Sequence, residues 1–380
     1  MKNVLVVDDV SMNRKIVKSI LLQSVEDIAV IEAENAFVAM DELKRGGISI
    51  VILDIMMPVK DGIELLTEIK AEAELKNIPV IMCSALHELD MIQKTLNLGA
   101  LDYFTKPLTE EQMKITLPLK VRNALEYYEQ QSEILKYYDN LRREMRLAGN
   151  IQKAMISEYS KLTESEMYGK YIPCQEIGGD FFSSKQVNGN MWFMMADVSG
   201  HGIAAAMISS MLNVVFSTSI AYCGAPGDVL KSINERLCEI FMGTDYGLVS
   251  AFVGCIRGET FQYANAGHPY PVFFQKKTHT IEELKIDGFL LGMFKEEGYD
   301  TQTKVIEEGD TIILYTDGLF DKGEEEGCVN WVLVSDYCNR NKDKLLEPLT
   351  NFLENIIDYF ENRENRVFID DVAIMAIKKI

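Results

Sequence analysis

The sequence predicts two folded parts of different class joined by a helix. Residues 1–120 read as an α/β doubly wound parallel five-stranded sheet, residues 121–157 as a helical, coiled-coil linker, and residues 158–380 as an α+β β-sandwich flanked by helices. Three observations carry this. Residues 1–108 alternate short apolar runs with amphipathic stretches, the pattern of strands and helices taking turns. Between 109 and 157 apolar residues recur at alternating spacings of three and four. Beyond 165, glycine and aspartate turns separate apolar strands, and helices fall in separate runs.

In the first part, strands are expected at 4–7, 29–33, 50–53, 79–83 and 103–105, with helices at 12–23, 36–45, 63–72 and 89–98, the last stopped by Gly99. A parallel sheet of this kind places its site at the carboxyl ends of its strands, where Asp8, Asp9, Asp54, Ser84 and Lys106 fall. In the linker, Pro118 kinks or restarts the helix. Beyond it Ala124, Tyr127, Gln131, Ile134, Tyr138, Leu141, Met145, Ala148 and Gln152 form a heptad seam with two polar interruptions. Glu, Arg and Lys dominate the other faces, so a two-stranded coil and a homodimer are expected rather than a helix packed on its own domain. In the last part, 180–187 and 191–198 flank Asn188-Gly189 as a hairpin. Further strands are expected at 247–257, 260–266, 311–316 and 372–377, and helices at 203–219, 228–242 and 344–362.

Composition excludes several functions. With 38 Lys and Arg against 58 Asp and Glu, the formal charge is −20, without the clustered cations that a phosphate backbone requires, so nucleic acid is no expected partner. Seven scattered Cys without a C-x-x-C, and only four His, argue against a zinc module and for reduced thiols in a cytoplasmic protein. No export signal is expected at the N-terminus. Residues 203–222 have the length of a membrane span, but Ser209, Ser210, Asn213, Ser217, Thr218 and Ser219 interrupt them. A helix inside a soluble domain is expected there, and no membrane association.

Asp8, Asp9 and Asp54 can converge on one hard cation such as Mg²⁺, which takes one or two carboxylates plus phosphate oxygens. Asp54 can then act as nucleophile toward a phosphoryl group, with Lys106 as a second positive centre and Ser84 as a hydroxyl donor. An Asp-Asp pair alone reads as a surface turn; four strand ends together reverse that reading. Here the strings VLVVDDVSMNRKIV, VILDIMMPVKDG, IMCSA and GALDYFTKP resemble the receiver domains of two-component response regulators, over about residues 1–125. The resemblance implies a flavodoxin-like sheet and Mg²⁺ held by Asp8, Asp9, Asp54 and the Met56 carbonyl. It implies Asp54 as phosphoacceptor from a sensor histidine kinase or phosphotransfer protein, Ser84 and Tyr103 as the switch pair, and a cis bond between Lys106 and Pro107.

In the last part, Asp180 (IGGDFF), Asp197 (ADVSGHG), Asp317 (LYTDGLFD) and Asp370–Asp371 (IDDVAIMAI) stand beside glycines or strand ends. One Asp-Gly pair is usually a turn. Four such motifs flanking apolar strands, without a thiolate or His cluster, select Mg²⁺ or Mn²⁺ and can activate water against a phosphomonoester. These strings resemble PPM-type serine/threonine phosphatases (the protein phosphatase 2C-like group), specifically the stage II sporulation E subclass, over roughly residues 146–380 from the lead-in RLAGNIQKAM. The resemblance implies two Mn²⁺ or Mg²⁺ ions, bridged by Asp197 and completed by Asp180, the Val198 carbonyl, Asp317 and Asp370, with Asp371 orienting its neighbour. Ser183 stands where the family carries a further acid, so no ligand is expected there. His201 and His268 are expected to be structural rather than general acids. The expected function is a response regulator in which Asp54 phosphorylation controls a protein serine/threonine phosphatase. Its implied substrate is a phosphorylated anti-sigma factor antagonist of STAS type. The rival reading is a non-catalytic adaptor, disfavoured because the motif acids are all present.

Overall fold

The computed structural model of the chain describes residues 2–84, 89–106, 109, 111–156, 158–161, 164–200, 202–241, 247–319, 332–362 and 368–380. It divides into two compact units, Met1–Asn140 and Leu141–Ile380.

In the first unit β1 (Lys2–Val7), β2 (Ile28–Ala33), β3 (Ile48–Asp54), β4 (Val80–Ser84) and β5 (Asp102–Thr105) form one parallel sheet, in the order β2-β1-β3-β4-β5. Helices α1 (Ser11–Ser24), α2 (Ala36–Arg45), α3 (Gly62–Ala71) and α4 (Leu89–Asn97) alternate with the strands. Successive side chains on a strand face opposite sides, and here they sort into two cores. Val4, Val6, Ile50 and Ile52 pack with Val17 and Leu21 of α1. Leu5, Val7, Val51 and Leu53 pack with Ala39 of α2 and with Leu65 and Leu66 of α3. Each large side chain so buried stabilises the unit by about 1.5–3 kcal/mol. Covering both faces requires strands that are apolar throughout, which is the pattern the sequence shows.

One turn of π-helix (Gln112–Thr116) leads into α5 (Leu117–Met155). Pro118 sits at that junction, where its missing amide coincides with the change of pitch. Leu117, Val121, Ala124 and Leu125 join the core beneath α1. Along the middle of the helix Tyr127, Ile134, Leu135, Tyr138 and Leu141 are exposed. Near its end Gly149 and Gln152 are buried within the second unit. The expected seam is corrected there: Gln152 is no polar interruption facing a partner helix, because its amide is enclosed by its own unit.

The second unit is a sandwich. Its strands are β6 (Tyr159–Lys161), β7 (Ser165–Ile172), β8 (Phe181–Val187), β9 (Asn190–Val198), β10 (Val249–Arg257), β11 (Thr260–Ala266), β12 (Val272–Gln275), β13 (Thr280–Glu283), β14 (Gln302–Val305), β15 (Thr311–Tyr315) and β16 (Val372–Lys379). One antiparallel sheet runs β14-β11-β10-β9-β8, the other β13-β12-β15-β16-β7-β6. Helices α6 (Ile203–Ser219) and α7 (Pro226–Phe241) pack on the first sheet, and α8 (Val332–Arg340) and α9 (Leu349–Asn362) on the second. Along β15 and β16, Ile312, Leu314, Ala373, Met375 and Ile377 enter the core shared by the two sheets. The alternate residues Ile313, Tyr315, Val372, Ile374 and Ala376 enter the core beneath α8 and α9.

Several elements were not foreseen: β6, β7, β12, β13, β14 and α8. The helix expected at 344–362 begins instead at Leu349, after a separate 3-10 turn (Lys342–Leu346). Pro348 forbids continuation, and Glu347 before it is extended with ψ 174°. No helix among the described residues is long and apolar enough to cross a membrane. Pro107, His201 and Glu324–Glu326 lie outside the described residues.

Candidate functional site

Each unit brings a set of acids to strand ends. In the first, Asp54 closes β3 and is 6% exposed; Asp8, just past β1, is 5% exposed, while Asp9 faces solvent. One carboxylate oxygen from each lies within 4.8 Å of the others. Lys106 Nζ sits 2.6 Å from Asp8 Oδ2 and 2.9 Å from Asp54 Oδ1. Three carboxylates against one ammonium leave a local excess of negative charge that suits a divalent cation.

Local chemistry holds these groups in place. Asp8 Oδ1 accepts from the Val10 amide at 2.8 Å, and the Asn13 amide group reaches both its oxygens at 3.2 Å. Arg14 donates to the Asp8 carbonyl at 2.7 Å. A Cβ on Gly62 would lie 2.1 Å from the Asp54 carbonyl oxygen, so only glycine lets α3 start this close to β3. Asp61 caps that helix in a capping box with Glu64. The Lys106 amide donates to the Ser84 carbonyl at 2.7 Å, tying the fifth strand end to the fourth. Ser84 is fully buried, Tyr103 on β5 is half-buried, and the Met56 side chain is 57% exposed two residues beyond Asp54. Burial pushes the Asp54 carboxyl up, against the opposing pull of Lys106. Burial also works to lower the Lys106 ammonium, but its bonds to Asp8 and Asp54 outweigh this and hold it above its ordinary value.

In the second unit, Asp180 precedes β8, Asp197 lies near the end of β9, Asp317 follows β15, and Asp370 and Asp371 precede β16. Asp180 is 2% exposed and accepts from Thr316 Oγ1 at 2.6 Å. Asp371, also buried, accepts the Cys174 amide at 2.9 Å and the Gly179 amide at 2.6 Å. Glycines make the approach possible. A Cβ on Gly178 would lie 2.1 Å from the Asp371 carboxylate, one on Gly179 2.7 Å from the Val198 carbonyl, and one on Gly318 1.9 Å from the Asp371 carbonyl. The acids interact electrostatically. Asp180 is raised well above the ordinary carboxylate range, first by burial and then by the charge of Asp197. Asp197 is raised as well, first by burial and then by Asp317 and Asp370. Like charges held this close disfavour ionisation of both, and a bound cation would relieve that repulsion.

Three residues outside the expected set support this centre. Thr316 holds Asp180. Gln152 Nε2 donates to the Gly178 carbonyl at 2.6 Å and to Ser209 Oγ at 2.8 Å, while the Gly178 amide donates to Gln152 Oε1 at 3.3 Å. Cys174 places its sulfur beside Asp370 and Asp371. A signal for the Gln152 contact was present: Gly149, costly within a helix, is there because a Cβ would lie 2.1 Å from the Glu176 carbonyl. Ser183 is buried on β8 and offers no carboxylate. His268 is 3% exposed, with Nδ1 2.8 Å from Ser250 Oγ, and burial depresses it to about 3.

Comparison with known proteins gives the following. The family model for stage II sporulation protein E (SpoIIE) matches residues 188–379, just over half the chain, and that for the response regulator receiver domain matches residues 4–117. The phosphoserine phosphatase RsbP of Bacillus subtilis (strain 168) is 26% identical over 235 residues, covering 60% of this chain and 58% of that protein. The chain thus spans little more than half the length of that relative. The chemotaxis protein CheY-3 of Vibrio cholerae serotype O1 is 37% identical over 111 residues, 29% of this chain and 85% of that one. Among solved structures, the SiaA-PP2C domain of Pseudomonas aeruginosa aligns with TM-score 0.54 at 17% identity, over 64% of this chain and 98% of that domain, a likeness of fold.

Proposed function

The chain belongs to the stage II sporulation protein E family and carries a response regulator receiver domain ahead of that part, and from this premise we propose that it is a receiver-controlled, metal-dependent protein serine/threonine phosphatase. The observation that carries the catalytic half is that, on top of burial, the charges of Asp197, Asp371 and Asp317 raise Asp180 and those of Asp317, Asp370 and Asp371 raise Asp197, beside Gly178, Gly179 and Gly318, which have no room for a Cβ. Mutually repelling carboxylates, with Asp180 and Asp371 buried and Asp197 and Asp317 half-buried, fit hard divalent cations. Asp197, Asp180, Asp317, Asp370 and the Val198 carbonyl would hold two Mn²⁺ or Mg²⁺ ions. Bound there, the ions would supply Lewis acidity and nucleophile activation for hydrolysis of a phosphomonoester. The protein's own part is orientation: Thr316 fixes Asp180, and Asp371 fixes the Cys174–Gly179 turn that precedes it.

In the receiver, Asp8, Asp9, Asp54 and the Met56 carbonyl would hold Mg²⁺. Asp54 would take a phosphoryl group from a histidine kinase or phosphotransfer protein: its carboxylate oxygen bonds to phosphorus as the phosphorus–nitrogen bond of the donor breaks. Lys106, already 2.9 Å from Asp54, is placed to pair with the new phosphoryl oxygens. Ser84 and Tyr103 would be the switch pair. The substrate of the phosphatase would be phosphoserine or phosphothreonine on a STAS-type anti-sigma factor antagonist. Its support is the sporulation E resemblance and a relative described as a phosphoserine phosphatase. The exposed apolar residues Tyr127, Ile134, Tyr138 and Leu141 on α5 support a homodimer paired through that helix.

The test is Mn²⁺-dependent hydrolysis of p-nitrophenyl phosphate by the full chain. Asp197→Ala should reduce turnover at least about a hundredfold, as loss of a preorganised electrostatic group does, while leaving receiver phosphorylation by acetyl phosphate intact. Undiminished turnover in that variant would refute the metal-dependent reading.

A further inference from the structure

In sequence no thiol stands beside the acids of the second unit. The fold brings one there. Pairing of β7 with β16, which sets Ile172 opposite Val372, carries Cys174 to the residues just before β16. Its sulfur and one carboxylate oxygen each from Asp370 and Asp371 lie within 4.8 Å of one another. Asp371 is fixed by the Cys174 and Gly179 amides, yet each carboxylate oxygen keeps a second lone pair. No described cysteine is in a disulfide, so Cys174 retains its thiol.

A thiol donating to Asp371 would account for Cys174 alone. It leaves a second group unexplained. Tyr171, on β7, is 7% exposed, and its hydroxyl is buried without a hydrogen-bond partner. Tyr171 stands three residues before Cys174 and opposite Ala373 in the β7–β16 pair, two residues past Asp371, and the charges of Asp371, Asp180 and Cys174 act on its hydroxyl. An orphaned buried hydroxyl costs about 1–3 kcal/mol, a cost that a bound ion or its water ligand would relieve.

We propose that Cys174, Asp370 and Asp371 form a site for a thiophilic divalent cation of the zinc class. One soft thiolate and two carboxylates make a mixed donor set that zinc and cadmium accept and magnesium does not favour. Binding releases the thiol proton to solvent, since the thiolate is the ligand. The site shares Asp370 with the candidate phosphatase centre. Its consequence for catalysis rests on that reading: occupancy withdraws a carboxylate from the Mn²⁺ or Mg²⁺ pair, so zinc-class ions inhibit where manganese activates.

The experiment titrates Cd²⁺ into the metal-stripped full chain and follows sulfur-to-cadmium charge-transfer absorption. A band that saturates at a single equivalent, persists in Cys223→Ser and is lost in Cys174→Ser is expected. No band, or one that survives Cys174→Ser, overturns the site. A second arm measures zinc inhibition of Mn²⁺-stimulated hydrolysis, each variant against its own rate. Cys174→Ser should weaken inhibition at least about tenfold, the scale on which altered metal shells lose affinity. Equal inhibition of both proteins overturns the sharing of Asp370. Absence of any Mn²⁺-stimulated rate would count against the phosphatase reading, while the cadmium band still decides the site.

Discussion

At the scale of single residues, Gly179 and His268 make opposite kinds of demand. Gly179 needs empty space: an added methyl would lie 2.7 Å from the Val198 carbonyl, forcing apart two backbones that frame Asp180 and Asp197. Gly179→Ala should therefore lower Mn²⁺-dependent turnover about a hundredfold, the effect of a displacement near one ångström at reacting groups, with a smaller change in melting temperature. Retained turnover would show that the loop can give way. His268 needs to stay neutral. Its folded value is depressed to about 3, against an ordinary unfolded value of 6.5. The stabilisation it provides is fully present above the unfolded value and is lost as pH falls toward the folded one. Each pH unit in that window should remove up to about 1.4 kcal/mol. Melting curves at pH 7 and pH 5 should show a larger loss in the parent protein than in His268→Asn; equal losses would contradict the argument.

At the scale of elements, the end of α5 is tied to the acid-bearing loop by one buried side chain, Gln152, and by the exposed pairs of Arg142 and Arg146 with Glu176. Gln152→Leu keeps the volume but leaves the Gly178 carbonyl and amide unsatisfied, a cost of about 1–3 kcal/mol for each buried group. The variant should melt earlier and hydrolyse p-nitrophenyl phosphate more slowly. An unchanged melt would mean that the clamp is replaceable. Gln152 also shows where sequence reading stops. Its heptad spacing is genuine, but periodicity cannot distinguish a residue facing a partner helix from one facing a loop that folds back on it. The β8–β9 hairpin was legible because Asn188 and Gly189, with φ 52° and 78°, form a turn written in adjacent residues. β7 was not, because its partner β16 lies near the other end of the unit and no hairpin turn written in adjacent residues joins the two. The acids of both sites were legible for the same local reason as the hairpin: each stands at a strand end. Thr316 and Cys174 acquire their places only through distant pairing.

At the scale of the whole molecule, the proposed control requires a signal from Asp54 to alter a centre built from residues of the other unit, and α5 contributes to both. Coupling of this kind needs an element with two arrangements that both sites bias. A pairing of exposed α5 faces between two chains supplies one. Ile134 and Leu141, each partly exposed on that helix, are the residues to charge. The double variant Ile134→Glu, Leu141→Glu should lower dimer affinity in sedimentation and leave a basal phosphatase rate that beryllium fluoride no longer changes. A full response from that variant would exclude α5 pairing as the route.

The hairpin that joins Asp180 to Asp197 has a practical consequence for labelling. Its register, Phe181 opposite Ala196 through to Val187 opposite Asn190, fixes the spacing of the two acids at the base. Its tip at Asn188-Gly189 is exposed, with nothing near the glycine. Some seven residues at about 3.3 Å each put roughly 23 Å between tip and base. A fluorophore or affinity peptide spliced between Asn188 and Gly189 would therefore ride on the strands that carry the acids without touching them. It would offer an optical handle on the phosphatase unit while its chemistry continues undisturbed.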